Sequence, residues 1–225
     1  MPVLNRVTSP YSKVEGWIYD RVIAPAIMEL GSAIDEHLVR HIPSDAELLD
    51  VGCGGGHMAI HFADALNGVK ITGLDLSPDQ VARATRRAAP YGDRVQFVQG
   101  SALEIPFEDE RFDAVVSIAS IKHWPDQAKG VSECIRVLKP GGRLAIVEAD
   151  RGCRLEDARS FVKHWRIPGI LKPVFLPVFR TFVAGQSLDL VDAMALFAGL
   201  DVDNSDAHRI PGTPGLIMLA HKADR

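Results

Sequence analysis

Apolar runs and amphipathic runs alternate along most of this chain. Short apolar or alternating runs are typical of strands, and strands are predicted at 47–51, 70–75, 95–99, 112–117 and 143–149. Between them apolar residues recur at helical spacing, which predicts helices at 56–66, 78–89 and 126–138. Ser77 and Pro78 supply a cap and a first-turn proline for the second helix. Such alternation is typical of an α/β fold with a doubly wound parallel sheet.

The end of the chain follows a different pattern. Two more apolar runs, Leu200 to Ile210 and Leu216 to Lys222, are predicted to be strands, joined by the turn residues 211–215. A five-residue connection is too short for a parallel crossover, so these two strands must be antiparallel. The predicted sheet therefore ends in an antiparallel hairpin.

The first predicted strand ends in an acidic residue and a glycine-rich turn. Residues 48–56 read Leu-Leu-Asp-Val-Gly-Cys-Gly-Gly-Gly, and the second strand ends in another carboxylate, Asp75. Glycines let backbone N–H groups approach a ligand closely, and the following helix points its positive end at the same place. A carboxylate at the tip of the neighbouring strand can accept hydrogen bonds from a ribose diol. Together these features predict a nucleoside-containing cofactor across the carboxyl ends of the strands.

The spacing of the glycines distinguishes between two kinds of cofactor. A nicotinamide-binding loop has the pattern Gly-x-Gly-x-x-Gly, and here the third glycine position holds His57. The glycines are Gly52, Gly54 and Gly56, and Asp50 precedes them. This pattern resembles motif I of the class I S-adenosylmethionine-dependent methyltransferases, in which an acidic residue precedes Gly-x-Gly-x-Gly. The resemblance implies that the cofactor is S-adenosyl-L-methionine.

Four further motifs extend the resemblance. Asp75, in Gly-Leu-Asp-Leu-Ser, matches the ribose-binding acid of motif II. Residues 95–102 resemble the third strand and its adenine-binding tip, with Ser101 where the family usually has aspartate. Residues 107–117 and 137–144 resemble the fourth strand and the turn into the fifth. The chain is similar to the subfamily often labelled methyltransferase type 11, which includes quinone-biosynthesis enzymes, and the resemblance implies a seven-stranded Rossmann-like sheet with a C-terminal antiparallel hairpin.

The resemblance also implies a set of cofactor-binding residues. Ser101 can still accept one hydrogen bond from the adenine amino group, although the anionic contact of an aspartate is lost. The cofactor-binding residues are predicted to be Asp50, Gly52, Cys53, Gly54, Gly56, His57, Asp75, Leu76, Ser101, Ala102 and Ser117.

The chain is predicted to form a single methyltransferase domain with four parts. They are an N-terminal helical cap (1–43), a cofactor-binding core (44–150), an apolar lid-like insertion (151–188) and a C-terminal helix with antiparallel strands (189–225). By resemblance, N-terminal helices of this kind pack over the cofactor.

The insertion contains a markedly apolar stretch, residues 167–179, that is broken by three prolines. An insertion at this point of an α/β sheet lies above the carboxyl ends of the strands, where ligands bind. It is interpreted as a lid over a hydrophobic substrate, as a protein-contact surface or as core packing. The candidate substrate-binding residues of cap and insertion are Tyr11, Tyr19, Phe175 and Phe179.

Charge and composition narrow the class of partner. The 225 residues are 47% hydrophobic and carry a formal net charge of −4. This composition is that of an ordinary globular protein, and the acidic balance argues against a nucleic-acid partner. No signal-peptide pattern opens the chain, and no apolar run reaches the ~18 residues that a membrane span needs. We therefore expect a cytoplasmic protein without stable membrane insertion that acts on a small-molecule substrate; the oligomeric state is left open.

The three cysteines, Cys53, Cys134 and Cys153, form no CxxC pair, and their odd number argues against a disulfide scaffold. Three thiols are also compatible with an arsenic-methylating enzyme. Against that interpretation, Cys53 lies inside the glycine turn and Cys134 is predicted on the core face of a helix.

Two histidine pairs, His37/His41 and His57/His61, each share one face of a predicted helix. A zinc site of the HExxH kind needs glutamate after its first histidine, and Met58 stands there instead. No third ligand is apparent, so we expect no metal.

His123 is the candidate general base. It lies six residues after Ser117, just beyond the fourth strand, where the resembled family often has a histidine close to the transferred methyl group. An ordinary histidine pKa of ~6.5 suits proton acceptance near neutrality. The alternative is a histidine that only caps the helix beginning at Pro125 or shapes the pocket.

Taken together, these features predict an S-adenosylmethionine-dependent methyltransferase that acts on a small apolar or aromatic molecule. Whether oxygen, nitrogen or carbon is methylated is left open. One alternative is a non-catalytic methyltransferase-like protein that binds the cofactor without chemistry. A third possibility is a NAD(P)-dependent oxidoreductase.

Overall fold

The computed structural model of the chain describes residues 24–38, 41–165, 167 and 169–224. Tyr11 and Tyr19 therefore lie outside the described residues. The described part contains one seven-stranded sheet with the strand order β3-β2-β1-β4-β5-β7-β6. Its strands are β1 (Glu47–Val51), β2 (Lys70–Asp75), β3 (Val95–Gln99), β4 (Phe112–Ile118), β5 (Leu138–Ala149), β6 (Val202–Arg209) and β7 (Gly215–Lys222).

The first five strands are parallel, and β7 runs antiparallel to both β5 and β6. The predicted doubly wound sheet with a C-terminal antiparallel hairpin is confirmed, and the strand bounds differ little from those predicted. One difference is β5, which begins at Leu138 rather than at 143 because its pairing with β4 starts at Phe112 and then shifts register.

Helices cover both faces of the sheet. They are α1 (Ala24–Gly31), α2 (Asp35–Leu38), α3 (His57–Ala65), α4 (Pro78–Arg87), α5 (Gln127–Val137), α6 (Leu155–His164), α7 (Lys172–Val178) and α8 (Leu190–Ala195). A π-helical segment, Phe179–Ala184, follows α7 directly, and short 3-10 turns include Ile121–His123 after β4. None of the helices described here is long and apolar enough to cross a membrane.

The core lies in two layers on either side of the sheet, because successive side chains of a strand point to opposite faces. Leu48 belongs to the layer that α1, α3 and α6 cover, with Leu30 and Phe161. Its neighbour Leu49 belongs to the other layer, with Val131 of α5. Both leucines of β1 are fully buried, as expected for a central parallel strand.

Two side chains set the starts of helices near the site. Ser77 accepts a hydrogen bond from the Gln80 N–H at 3.4 Å and caps α4, as predicted from Ser77-Pro78. Asp126 accepts one from the Lys129 N–H at 2.9 Å and caps α5. The helix after β4 therefore begins at Gln127 and not at Pro125, and its cap is Asp126 rather than His123.

Candidate functional site

The glycine loop (residues 52–56) lies at the carboxyl end of β1. The backbone N–H groups of Gly52 and Cys53 both donate to the Leu74 carbonyl of β2, at 2.7 and 3.1 Å. Gly52, Gly54 and Gly56 all have positive φ angles, of 77°, 51° and 79°. Because side chains disfavour this left-handed region, the loop requires glycine at these three positions.

The three glycines serve different contacts. A Cβ atom on Gly52 would lie 1.8 Å from the Ser120 Oγ, so this glycine lets the loop pack against the segment that follows β4. A Cβ on Gly56 would lie 2.7 Å from the Phe97 ring. A Cβ on Gly54 would have no atom within 4 Å. Gly54 therefore faces open space at the tip of the loop, where a ligand can approach the main chain.

Asp75, the last residue of β2, holds this loop. Its Oδ2 accepts a hydrogen bond from the Gly54 N–H at 2.8 Å, and its Oδ1 accepts one from the Ser77 N–H at 2.9 Å. Burial raises the pKa of the Asp75 carboxyl, while the hydrogen bonds from Ser77 and Gly54 act in the opposite direction. A carboxylate offers about four acceptor positions, so Asp75 can still accept from a ribose diol.

Asp50 lies beneath the loop and is 1% exposed. Among the described residues, its Oδ2 has no hydrogen-bond partner. Burial, and secondarily the charge of Asp75, raises the pKa of Asp50 to about 7. A buried carboxylate oxygen without a donor is costly, and a cationic or hydrogen-bond-donating ligand relieves that cost. The residues present thus fit a cofactor that carries positive charge.

The other predicted cofactor-binding residues follow the carboxyl ends of β1, β2 and β3, and they differ in burial. Leu76 is 48% exposed just after β2, and His57 is the partly buried first residue of α3. The Cys53 side chain is buried, and burial raises its thiol pKa well above the ordinary value, so Cys53 is an inert packing residue. The partly buried Ser101 and Ala102 follow β3, and the Ser101 hydroxyl already accepts the Leu103 N–H at 3.1 Å.

Ser117 occupies a different place from the others. Its side chain is fully buried within β4, and its Oγ donates to the Val51 carbonyl at 2.8 Å. The hydroxyl therefore connects β4 to β1 below the glycine loop. A contact between Ser117 and a ligand at the sheet edge would be made by its main chain.

An apolar cavity lies on the other side of the loop, between the carboxyl ends of β4 and β5. We call it the β4–β5 cavity, and it is lined by Ile27, Leu30, Ala119, Lys122, Glu148, Ala149, Phe161, Trp165, Phe179, Val183 and Pro214. Phe179 contributes to the wall directly, and its ring lies 5.2 Å from that of Phe161. Phe175 lies one layer behind, with its ring 5.9 Å from that of Trp165.

The charged residues of this cavity were not found by sequence reasoning. Lys122 Nζ lies 2.8 Å from Glu148 Oε1 in a buried ion pair. His123, the predicted base, is the next residue along the 3-10 turn and is partly buried, but the cavity lining contains Lys122 and not His123. One signal was available, because Glu148 is an acidic residue within the otherwise apolar run 144–149 of a buried strand.

The histidine pairs make other contacts. His61 Nε2 lies 2.8 Å from Asp35 Oδ2, and the His37 ring lies 5.9 Å from that of His208. Among the residues that the structure describes, no group of three or more His, Cys, Asp or Glu side chains could hold a metal ion.

The known proteins to which this chain is similar are methyltransferases. Residues 49–146 match the family described as "Methyltransferase domain". The chain is 42% identical over 122 residues to a 27-O-demethylrifamycin SV methyltransferase of Amycolatopsis mediterranei, covering 52% of this chain and 44% of the relative. It is 33% identical over 183 residues to the methyltransferase GfsG of Streptomyces halstedii, covering 78% and 61%. The chain thus spans about half the length of these curated relatives.

The fold comparison extends over nearly the whole chain. A solved S-adenosylmethionine-dependent methyltransferase from Aquifex aeolicus superposes with a TM-score of 0.70 at 15% identity, covering 95% of this chain and 100% of that structure. Residues 49–146 therefore match a methyltransferase domain, and the chain shares the fold of this solved S-adenosylmethionine-dependent methyltransferase.

Proposed function

We propose that this chain binds S-adenosylmethionine at the glycine loop and transfers its methyl group to a small apolar or aromatic molecule in the β4–β5 cavity. The observation that carries this proposal is the meeting of the two sites at one edge of the sheet. Gly52 packs against Ser120, and Ser120 lies two residues before Lys122 of the cavity. In this fold, ligands bind outside the carboxyl ends of the strands where the strand order reverses, which here is between β1 and β4.

The residues of the glycine-loop side have distinct proposed roles. Asp75 accepts hydrogen bonds from the ribose, and Asp50 balances positive charge on the cofactor. Ser101 and Ala102, which follow β3, contact the adenine. S-adenosylmethionine supplies an electrophilic methyl group bound to a sulfonium.

For methyl transfer, the protein mainly has to align the nucleophile of the acceptor with the methyl group. Holding a nucleophile in line with the methyl carbon is worth up to about 7–11 kcal/mol of the barrier. A cavity with apolar walls excludes water, which favours attack by an anionic nucleophile because charge is neutralised in the transition state. A protonated hydroxyl acceptor also needs its proton removed, and His123 stays the predicted base for that role.

Calorimetry tests the cofactor half of the proposal. We expect S-adenosylmethionine and its demethylated product, S-adenosylhomocysteine, to bind, and NADH not to bind, because His57 replaces the third glycine of a dinucleotide loop. Binding of NADH without binding of the methyl donor would contradict the proposal.

Incubation with methyl-labelled S-adenosylmethionine and a small-molecule metabolite extract tests the transfer half. A labelled small molecule supports the enzyme, whereas cofactor binding with no labelled product favours the non-catalytic alternative. A location in the cytoplasm, the absence of a nucleic-acid partner and the lid role of the insertion stay predictions.

A further inference from the structure

The Lys122–Glu148 ion pair lies almost out of contact with solvent. The Lys122 side chain is 10% exposed and the Glu148 side chain 0%. Glu148 Oε1 accepts hydrogen bonds from Lys122 Nζ at 2.8 Å and from the Ala149 N–H at 2.8 Å. Its Oε2 accepts the Lys122 N–H at 3.4 Å. Two of these three hydrogen bonds come from Lys122, so the carboxylate positions both its main chain and its ammonium group.

The Lys122 ammonium is positioned from a second side by the main chain. It donates to the Ala119 carbonyl at 3.1 Å. Ala119 has a φ angle of 53°, a left-handed conformation that is uncommon for residues other than glycine. Such backbone strain tends to occur at functional sites, where the surrounding structure maintains it. Here it accompanies a carbonyl that accepts from a buried ammonium.

Among the described residues, these contacts leave one hydrogen-bond donor of Lys122 unused. An ammonium has three N–H groups, and within the described part of the chain Lys122 Nζ has two acceptors, Glu148 and Ala119. Apart from Lys122 and Glu148, the residues that line the β4–β5 cavity, such as Phe161 and Trp165, carry no charge. A buried donor without an acceptor is costly, so the arrangement fits a ligand that supplies an oxygen at this point.

We propose that Lys122 donates this third hydrogen bond to the reacting oxygen of the methyl acceptor, which is a phenol or enol bound as its oxyanion. This inference rests on the proposed function and narrows its substrate class. A hydroxyl can enter an apolar cavity uncharged, whereas a carboxylate would have to be desolvated as an ion. Once ionised, the oxygen gains a charge-assisted hydrogen bond from Lys122, and this lowers the pKa of the hydroxyl.

The transfer is balanced in atoms and charge. When the acceptor ionises, its hydroxyl proton passes to the predicted base, His123. An oxygen lone pair then forms the O–CH₃ bond as the C–S bond breaks, and the electron pair of the C–S bond stays on sulfur. An oxyanion and a sulfonium become a neutral ether and a neutral thioether, while the Lys122–Glu148 pair keeps its charges.

A chromophoric phenol tests the inference without turnover. 4-Nitrophenol absorbs at different wavelengths as phenol and as phenolate, so its pKa when bound to the protein with S-adenosylhomocysteine can be measured directly. We expect wild type to lower this pKa by about one unit, a preference of about tenfold for the phenolate. Lys122→Met should raise it instead, because an apolar cavity disfavours the charged form. Lys122→Arg should retain part of the preference.

The control is a second lysine, outside the cavity lining, whose ion pair has the same length but is more exposed. Lys139 Nζ lies 2.8 Å from Asp113 Oδ2 at the opposite end of β4, so Lys139→Met should leave the pKa of the bound 4-nitrophenol unchanged. Lys122→Met leaves Glu148 buried without its counter-charge and can unfold the protein. The double variant Lys122→Met/Glu148→Gln removes both charges and replaces the single variant in that case.

The outcomes separate the two proposals. Failure of wild type to bind S-adenosylhomocysteine by calorimetry contradicts the proposed function itself. If S-adenosylhomocysteine binds and wild type does not bind the phenolate, the role of Lys122 is overturned. It is also overturned if the Lys122→Met or double variant lowers the pKa of 4-nitrophenol as far as wild type does.

Discussion

The two sides of the proposed site are built from different materials. On the glycine-loop side, main-chain N–H groups and glycines without side chains form the surface, and Asp75 holds them by accepting the Gly54 N–H. On the β4–β5 side, the surface is made of side chains, and aromatic rings of the insertion line the same cavity as the Lys122–Glu148 pair. The cofactor side is thus a binding surface of backbone groups, and the acceptor side is an apolar cavity.

The difference matters because the two sides have different tasks. A binding surface of backbone groups depends little on the neighbouring side chains, so it suits a cofactor that many related proteins share. A cavity of side chains changes shape and charge with each substitution, which suits one acceptor. Substitutions on the two sides should therefore separate cofactor affinity from acceptor use and from stability, as the following changes test.

The largest effect is expected from Phe179→Ala. Phe179 is fully buried, and its ring packs 5.2 Å from Phe161 and 6.2 Å from Trp165. Removing such a ring leaves a void, and we expect the free energy of unfolding to fall by about 3–5 kcal/mol. Urea denaturation measures this. A loss below about 1 kcal/mol would mean that the insertion does not pack on the sheet in solution.

The same variant tests whether the two sides are separable. Its folded fraction should bind S-adenosylhomocysteine with nearly wild-type affinity, because Phe179 lines the β4–β5 cavity and not the glycine loop. A cofactor affinity that falls with the stability of the insertion would show that the sides are coupled.

The second effect is on the glycine-loop side. Asp75→Ala removes the acceptor of two backbone N–H groups and the proposed ribose contact. We expect it to cost about 2–4 kcal/mol in S-adenosylmethionine binding, measured by calorimetry. A change in affinity smaller than about threefold would mean that the ribose is bound elsewhere. Thermal unfolding of the ligand-free variant serves as the control for damage to the loop.

The glycine-loop side was predictable from sequence because its parts are local. Residues 50–57 are contiguous, and Asp75 ends the next strand, so parallel pairing of β1 with β2 is enough to bring them together. Part of the fold was predictable for a similar reason, because apolar periodicity indicates the strands and the short connection 211–215 requires the last two strands to be antiparallel. The seven-stranded sheet was predicted only from the family resemblance. The pattern could not show that Ser117 is buried as a contact between β1 and β4.

The β4–β5 cavity was less predictable because distant segments form it. Lys122 and Glu148 are 26 residues apart, and the aromatic wall comes from the insertion and its packing against α1. The apolar stretch 167–179 indicated an insertion, but periodicity cannot tell a ring that lines a cavity from one that lies behind it. His123 was predicted as the base from its residue type and from its position beyond the fourth strand, where the resembled family often has a histidine. The cavity lining contains its neighbour Lys122.

The third effect is a pH dependence specific to the glycine-loop side. The pKa of Asp50 is raised to about 7, so below that pH the ligand-free protein holds a proton on this carboxyl. A cationic cofactor favours the ionised carboxylate, so affinity for S-adenosylmethionine should increase by about tenfold between about pH 6 and pH 8. Calorimetry at several pH values measures it, and Asp50→Asn should flatten the dependence.

The pH dependence of folding stability has the opposite direction to that of cofactor affinity. A carboxyl with a raised pKa in the folded protein stabilises the fold fully below its ordinary value of 3.8, and this contribution is lost as pH rises through about 7. Ligand-free wild type should therefore lose stability relative to Asp50→Asn over this range. If the free energy of unfolding changes with pH in the same way for wild type and Asp50→Asn, Asp50 does not titrate in this pH range.

The smallest effect is expected from Phe175→Ser, which acts on the cavity from outside. Phe175 is partly buried and contacts Trp165, which lines the β4–β5 cavity, while Phe175 itself is not part of the lining. Losing this support should let Trp165 move and should raise KM for the acceptor by about two- to fivefold, equal to less than about 1 kcal/mol. Cofactor affinity should not change, because Trp165, which Phe175 supports, lines the β4–β5 cavity and does not belong to the glycine loop. Steady-state kinetics with the labelled acceptor, at saturating S-adenosylmethionine, measure the change. If KM stays constant while Phe179→Ala abolishes acceptor use, Phe175 serves only packing. If KM rises far beyond fivefold, Phe175 contacts the acceptor directly, as a lid residue would.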